Sequence, residues 1–257
     1  MLAFAFVLFG ATASLVRAEL SASGNLFITF DGGVTPEVLP RDARAPIGVW
    51  ISGQVRTLSG ETPPSLREVT IGLNRDGRLD TRGLPTCSKE QIDLASSEDA
   101  LAACADALVG TGKYRARTTF PEQAQSPSHG KILAFNGTIG GRPVILGHVY
   151  GSDPAPSTGI IIFKITHPSG TFGTVLTGTM PETLTRWGYL KRISLELNRT
   201  YTYKGERHSY LSAPCRAPGD LNQASFQFAF ASMLFDDGRT LSSKLTRTCR
   251  VKHEARR

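Results

Sequence analysis

The sequence lacks the short motifs that mark common catalytic and nucleotide-binding sites. It has no G-x-S-x-G nucleophile elbow, no P-loop and no G-x-G-x-x-G dinucleotide fingerprint. His253-Glu254 begins the zinc-protease motif H-E-x-x-H, but Arg257 stands where the second histidine is required. The five histidines show no metal-ligand spacing. We therefore expect no metal and no cofactor, and the sequence favours a non-enzymatic protein over an enzyme.

Cysteine is also scarce, and no two cysteines have the C-x-x-C spacing of zinc and redox motifs. The four present are Cys87, Cys104, Cys215 and Cys249. An even number favours two disulfides, which require an oxidising compartment. Pairing Cys87 with Cys104 closes a short loop and is the most economical choice, and it leaves Cys215 to pair with Cys249. The two crossed pairings stay open at this stage.

After the N-terminal segment of residues 1–18, no stretch reaches the roughly 18 apolar residues of a membrane-spanning helix. Near the N-terminus, Leu2–Phe9 is apolar, small residues follow, and Val16-Arg17-Ala18 suits a signal peptidase. The positively charged segment that usually precedes such a run is missing. We expect residues 1–18 to be a signal peptide. The protein is then secreted or associated with the cell envelope, without a membrane span after cleavage.

The chain is basic, with a formal net charge of +7 and a sequence pI near 9.4. Its cations are spread along the sequence, with a local excess only in Arg247–Arg257. Nucleic-acid-binding proteins usually concentrate their positive charge in a recognisable motif, so we expect no nucleic-acid partner. A basic surface can instead attract anionic polymers of the envelope. Residues 252–257 are expected to form a flexible basic tail.

Frequent glycine and proline, with many β-branched residues between them, favour strands separated by turns. The turns recur every 8–12 residues in the second half, a spacing typical of all-β folds. We predict a mainly β protein with one domain over residues 24–251, folded as a β-sandwich or partly open barrel. One short helix is predicted at Ser96–Val109, where a serine cap precedes an amphipathic stripe that includes Cys104.

The segment Gly130–Gly151 predicts a central hairpin that turns at Gly140-Gly141. Both of its strands, Lys131–Thr138 and Pro143–Tyr150, carry apolar residues on both faces. Strands with two apolar faces are covered on both sides in the folded protein. The hairpin is therefore expected in the middle of the layered fold.

One catalytic candidate lies in this hairpin. His148 and Tyr150 share a strand face, and Asp153 follows just after the strand. A histidine oriented by a carboxylate is a common general base, so a secreted hydrolase using His148 is one hypothesis. The competing interpretation is a buried, hydrogen-bonded histidine of the core. An extended chain would carry Asp153 about 16 Å from His148 unless Gly151–Pro154 turns back.

A second candidate site is the strand Lys113–Phe120. Lys113, Arg115 and Arg117 alternate with less polar residues and therefore face one way. Such a stripe can bind anionic polymers, although cations also serve to keep exposed strands from pairing with other chains. Asn136 and Asn198 begin N-x-T sequences, which are glycosylated only in exported eukaryotic proteins.

Four segments, GKILAFNG, GRPVILGHVYG, GTFGTVLT and GRTLSSKLTRTCRV, resemble those of a group of uncharacterised exported proteins from soil actinobacteria. The resemblance extends over about Val49–Val251. It implies a secreted, disulfide-containing, β-rich bacterial protein and carries no known activity or site residues. Together with the missing catalytic motifs, it favours a structural or binding protein outside the cytoplasm.

Overall fold

The structure is a computed structural model that describes residues 18–252 of the 257-residue chain. The predicted signal peptide and the predicted basic tail lie outside this range, apart from Ala18 and Lys252. Within it, the prediction of a mainly β fold is confirmed, and the main sheet curls into a partly open barrel. The first strand begins at Glu19, so the described sheet starts five residues before the predicted boundary at residue 24.

Eighteen strands and three short α-helices follow one another along residues 18–252. The strands are β1 Glu19–Ser23, β2 Leu26–Thr35, β3 Val38–Leu39, β4 Ala45–Pro46, β5 Gly48–Thr57, β6 Leu66–Asn74, β7 Arg78–Leu79, β8 Leu108–Thr118, β9 Ser126–Ile139, β10 Arg142–Gly151, β11 Ser157–Thr166, β12 Phe172–Thr179, β13 Gly188–Leu197, β14 Thr200–Tyr203, β15 Glu206–Ser209, β16 Leu211–Ala213, β17 Gln223–Phe235 and β18 Thr240–Val251. The helices are α1 Lys89–Ile92, α2 Ser97–Cys104 and α3 Glu182–Thr185, and a 3-10 turn covers Ala105–Ala107.

Thirteen strands form the main sheet, in the order β1-β2-β5-β13-β8-β9-β10-β11-β12-β6-β17-β18-β3. All neighbours are antiparallel except β18 and β3. Two small sheets, β14-β15 and β4-β16-β7, complete the structure. The main sheet combines neighbours along the chain, such as β8, β9 and β10, with distant pairs such as β13 with β8. These long-range pairs bring separated segments onto one surface.

The curled sheet brings β2 alongside β18. Arginine side chains, rather than paired backbone groups, connect these two margins of the sheet. Arg247 donates to the carbonyl oxygen of Gly32 and forms an ion pair with Asp31, and both charged side chains are largely buried. Arg239 reaches across in the same way, donating to the carbonyl oxygen of Ser23 at 3.1 Å. These charge-assisted bonds join the two sheet margins.

Alternate residues of the strands point into the barrel and fill it from end to end. At one end, Leu26, Ile28, Val55, Phe235 and Leu241 form a buried cluster. At the other end, the cluster consists of residues from the main sheet and from the small sheet β4-β16-β7, which therefore packs against that end as a plug; its members include Val49, Leu73, Leu197, Leu211, Ala213, Phe228 and Leu245. The hydrophobic effect thus closes an interior that the sheet alone leaves open.

The central hairpin has the predicted position and turn. β9 and β10 pair from Ile139 and Arg142 onward, so the loop consists of Gly140 and Gly141 alone. Both have positive φ, 56° and 75°, as a two-residue type I′ turn requires. One face points into the barrel, and helices cover the other face near Leu133 and Leu146. The two-sided apolar pattern therefore reflects two layers of cover.

The helix prediction is only partly right. α2 begins at Ser97, and the Ser96 hydroxyl caps it by accepting a hydrogen bond from the backbone N–H of Asp99. It ends at Cys104, and strand β8 already begins at Leu108. The prediction extended too far because the apolar residues at its end belong to the strand, where Val109 packs in the barrel core. Two further helices, α1 and α3, are single turns that carry little periodic signal.

Both disulfides of the preferred pairing are present. Cys87–Cys104 ties the segment before α1 to the end of α2, and these helices form a buried cluster over β9 and β10. Cys215–Cys249 ties the segment after β16 to β18, and so joins the plug to the barrel wall. The described residues contain no free cysteine.

Candidate functional site

A broad groove of about 1080 Å³ crosses the outer surface of β13, β8 and β9, and it is strongly basic. Six cationic side chains line it, and we call it the basic groove: Lys113, Arg115, Arg117, Lys131, Lys191 and Arg192. Glu98, at the start of α2, is the one carboxylate among its lining residues. The predicted stripe of Lys113, Arg115 and Arg117 is thus one column of a wider surface.

Strand pairing places cations of the basic groove directly opposite one another. Lys113 on β8 pairs with Lys131 on β9, and Arg115 on β8 pairs with Arg192 on β13. Neighbouring strands lie about 4.8 Å apart, and alternate residues along one strand about 6.8 Å apart. Like charges directly opposite on a sheet are destabilising. The arrangement therefore costs stability unless a bound anion offsets it.

A β-bulge adds a further cation to the groove. In β13, Leu190 pairs with Ala116 and Arg192 pairs with Arg115, so Lys191 has no partner of its own on β8. Successive side chains of a regular strand point to opposite faces, but the extra residue of a bulge breaks this alternation. Lys191 and Arg192 consequently both line the groove.

The cations of the basic groove are not neutralised by neighbouring carboxylates. None of the ion pairs formed among residues 18–252 includes any of the six. Arg192 donates a hydrogen bond to the side-chain oxygen of Gln54 at 3.0 Å, a neutral partner that leaves its charge uncompensated. Lys113, Arg115 and Lys131 are exposed to solvent. The groove therefore presents a positive field that an anionic ligand can reach.

His148 lies on the same strand face as Tyr150 but is completely buried beneath the loop between α1 and α2. Its Nε2 lies 3.0 Å from the carbonyl oxygen of Ala95 and its Nδ1 has no hydrogen-bond partner in the described structure. Burial lowers the pKa of His148, and the hydrogen bond to Ala95 offsets part of this effect. His148 is therefore a core histidine whose burial favours the neutral ring.

The three residues of the catalytic hypothesis do not converge. Asp153 is exposed in the turn after β10, and no hydrogen bond joins it to His148 within residues 18–252. Tyr150 pairs with Lys131 and lines the basic groove, beyond the cover that buries His148. The structure thus separates a packing residue, a groove residue and a loop residue. Nothing in this arrangement activates a nucleophile or a water molecule.

The two N-x-T sites differ in accessibility. Asn136 is buried, and its amide donates to the carbonyl oxygen of Pro85 at 2.9 Å. Asn198 is exposed, and its amide donates to Glu196 at 2.9 Å. In the folded chain, only Asn198 offers its side chain to solvent.

Sequence reasoning missed half of the basic groove: Lys131, Lys191 and Arg192. Lys131 stood at the start of an apolar strand, and the other two stood in a segment some 75 residues after the stripe. Only the register of β13 on β8 brings them together. One local signal for these residues exists in the sequence: the Lys191-Arg192 doublet stands directly before the alternating polar and apolar residues of the strand that continues from Ile193.

Comparisons of the chain with protein-family models, curated proteins and solved structures gave no match. Among the described residues, no helix has the length and apolar character to cross a membrane.

Proposed function

We propose that this protein is a non-enzymatic binding protein that holds an anionic polymer in the basic groove. The observation that carries the proposal is the set of six cations that line one open groove and form no ion pair within residues 18–252. Natural sequences usually separate like charges on a sheet, and departures from such local rules concentrate at functional sites.

The shape of the groove favours a polymer over a small anion. The cations spread along β8 and across three strands at spacings of about 5–7 Å, on a surface open to solvent. A small anion would be met by one or two of them and would stay hydrated. A chain with regularly spaced sulfate, phosphate or carboxylate groups can engage several at once, and multivalent contact increases its affinity.

The two disulfides support a site of action outside the cytoplasm, because such bonds persist in oxidising compartments. We infer that the protein is exported, as the apolar N-terminal segment and the resemblance to exported bacterial proteins suggest. Anionic polymers are abundant at cell surfaces, so the inferred location and the inferred ligand class agree.

The test compares two double variants with the same change in net charge. Lys113→Glu with Lys131→Glu reverses two exposed, directly opposed groove cations. Lys164→Glu with Lys244→Glu reverses two exposed strand lysines outside the groove. On immobilised heparin we expect the groove variant to elute at clearly lower salt than the wild type and the control to elute close to the wild type. Equal loss in both variants would mean that net charge alone governs retention, and would refute the proposal.

Different polymers distinguish the chemistry of the ligand. Heparin, polyphosphate, polygalacturonate and double-stranded DNA present sulfate, phosphate, carboxylate and nucleic-acid charges at different spacings. We expect the groove variant to lose affinity for its preferred polymer and DNA to bind more weakly than that polymer at equal salt. Tightest binding to DNA would contradict the assignment to an envelope polymer.

A further inference from the structure

A second, separate cavity lies at the plugged end of the barrel. It has a volume of about 260 Å³, is partly open to solvent, and lies between the ends of β5, β6 and β17 on one side and the plug on the other. Its apolar lining includes Val49, Leu73, Leu211, Phe226 and Phe228. Small-molecule sites are usually concave and mostly apolar with a few polar groups, as this cavity is, so it is a candidate binding site.

The cavity is amphipathic. Its inner walls are aliphatic and aromatic, whereas Asp76, Arg78 and Arg216 stand among the residues that border it. Arg216 forms an ion pair with Asp76, with Nε and Oδ1 3.1 Å apart. Arg78 is exposed and forms no ion pair among residues 18–252. The rim therefore carries one net positive charge.

One disulfide and the hydrogen bonds of one arginine hold the cavity in shape. The Cys215–Cys249 disulfide links the plug to β18, and Cys249 itself lines the cavity. Arg41 donates to the carbonyl oxygens of Ala217 and Leu221, which fixes the loop that borders the opening. Leu221 is 61% exposed at this border. A cavity preformed in this way loses little conformational entropy when it binds a ligand.

We propose that this cavity binds a small amphipathic anion, with its apolar body inside and its carboxylate or phosphate at Arg78 and Arg216. An apolar cavity of about 150 Å³ is enough to accept benzene, so the larger volume here accepts a short acyl chain or a substituted aromatic ring. The head group carries the charge that the rim complements. The site is independent of the basic groove, because the two share no lining residue.

The test uses three eight-carbon probes that differ only in their head groups: octanoate, 1-octanol and octylammonium. Binding is followed by isothermal titration calorimetry and by chemical-shift changes of backbone amides. We expect octanoate to bind about tenfold more tightly than octylammonium, with 1-octanol between them. The arginines at the rim attract the carboxylate and repel the ammonium group, and a modest difference in binding free energy is enough for a tenfold difference in affinity. Shift changes should be confined to residues lining the cavity.

Two variants of Ala224, which lines the cavity, complete the test. Ala224→Phe fills the cavity and is expected to abolish octanoate binding. Ala224→Ser keeps the side chain small and should leave the affinity within a fewfold of wild type, and matching circular dichroism spectra would show that both variants fold. Equal affinity for all three probes, octanoate binding that survives Ala224→Phe, or no detectable binding would each overturn the proposal.

Discussion

The imidazole of His148 and the hydroxyl of Thr158 share one acceptor, the carbonyl oxygen of Ala95. The distances to that oxygen are 3.0 Å from His148 Nε2 and 3.0 Å from Thr158 Oγ1. Ala95 lies between α1 and α2, whereas the two donors lie on β10 and β11. A single carbonyl therefore fixes the helical cover onto the central strands, and the tie requires a proton on Nε2 of His148.

This tie predicts a pH dependence of stability. The pKa of His148 in the folded chain is lower than its ordinary value near 6.5, because burial penalises the charged ring. As the pH falls below about 6.5, the unfolded chain takes up a proton that the folded chain does not, so the free energy of unfolding decreases. The loss is at most about 1.4 kcal/mol per pH unit and continues until the folded-state pKa is reached.

The measurement is urea unfolding from pH 8 to pH 5 for the wild type and for His148→Gln, which keeps a donor but cannot titrate. The other histidines are common to both proteins, so the difference between the two curves isolates His148. We expect the curves to run parallel above pH 7 and to diverge as the pH falls. Curves that stay parallel at every pH would contradict the buried, neutral state of the ring.

The limits of sequence reasoning follow from where the contacts originate. Gly140-Gly141 and the alternating apolar residues beside them describe a hairpin completely, because a two-residue turn fixes its own register. The sequence also placed His148 and Tyr150 correctly on one face. It could not show that the cover of His148 comes from Ala95, some fifty residues earlier, or that this cover ends before Tyr150. Such information exists only in long-range packing.

The same distinction explains the basic groove. Lys113, Arg115 and Arg117 are evident from local alternation, whereas Arg192 joins them through strand pairing across more than seventy residues. Glu19–Ser23 was missed as a strand because its side chains are mostly small or polar, and its pairing with β2 supplies the order that its own sequence does not. Strand propensity depends on such neighbours more than helix propensity does.

The helical cover should depend on its disulfide. Replacing both Cys87 and Cys104 with serine removes a cross-link that spans 17 residues, and we expect the free energy of unfolding to fall by about 3 kcal/mol. Replacing Cys215 and Cys249, which span 34 residues, should cost slightly more, roughly 4 kcal/mol. Urea unfolding measures both losses.

Intact mass of the native protein should lie about 4 Da below that of the reduced protein, since two disulfides require four thiols to be oxidised.

The two disulfide variants should also differ in ligand binding. Loss of Cys215–Cys249 loosens the plug and should weaken octanoate binding, because Cys249 lines the cavity. Loss of Cys87–Cys104 leaves that end of the barrel intact and should not. Equal effects on octanoate binding would show that the cavity does not depend on the local tie.

The arginine seam between β2 and β18 should contribute measurably to stability. Arg247→Ala removes the ion pair with Asp31 and the bond to the carbonyl oxygen of Gly32, and leaves a largely buried carboxylate unpaired. Hydrogen bonds to charged groups contribute about 1.5–3 kcal/mol each, so we expect a loss of about 2–3 kcal/mol in the free energy of unfolding. Arg250→Ala, on the same strand but exposed, is the control and should change it by less than about 0.5 kcal/mol. Similar small losses in both variants would show that the seam is held by packing alone.

The opposed cations of the basic groove predict that stability and binding change in opposite directions. Lys113→Glu replaces a like-charged cross-strand pair with Lys131 by an oppositely charged one. Cross-strand charge pairs contribute about 0.2–1 kcal/mol, so we expect this variant to be more stable than the wild type by roughly 0.5 kcal/mol and to bind its polymer more weakly. Lys244 on β18 pairs with the uncharged Phe230 on β17, so Lys244→Glu should change neither stability nor binding appreciably. A residue that lowers stability in order to bind must show both effects together. If Lys113→Glu lost stability, or gained it with unchanged heparin retention, the cations would be surface residues without a ligand.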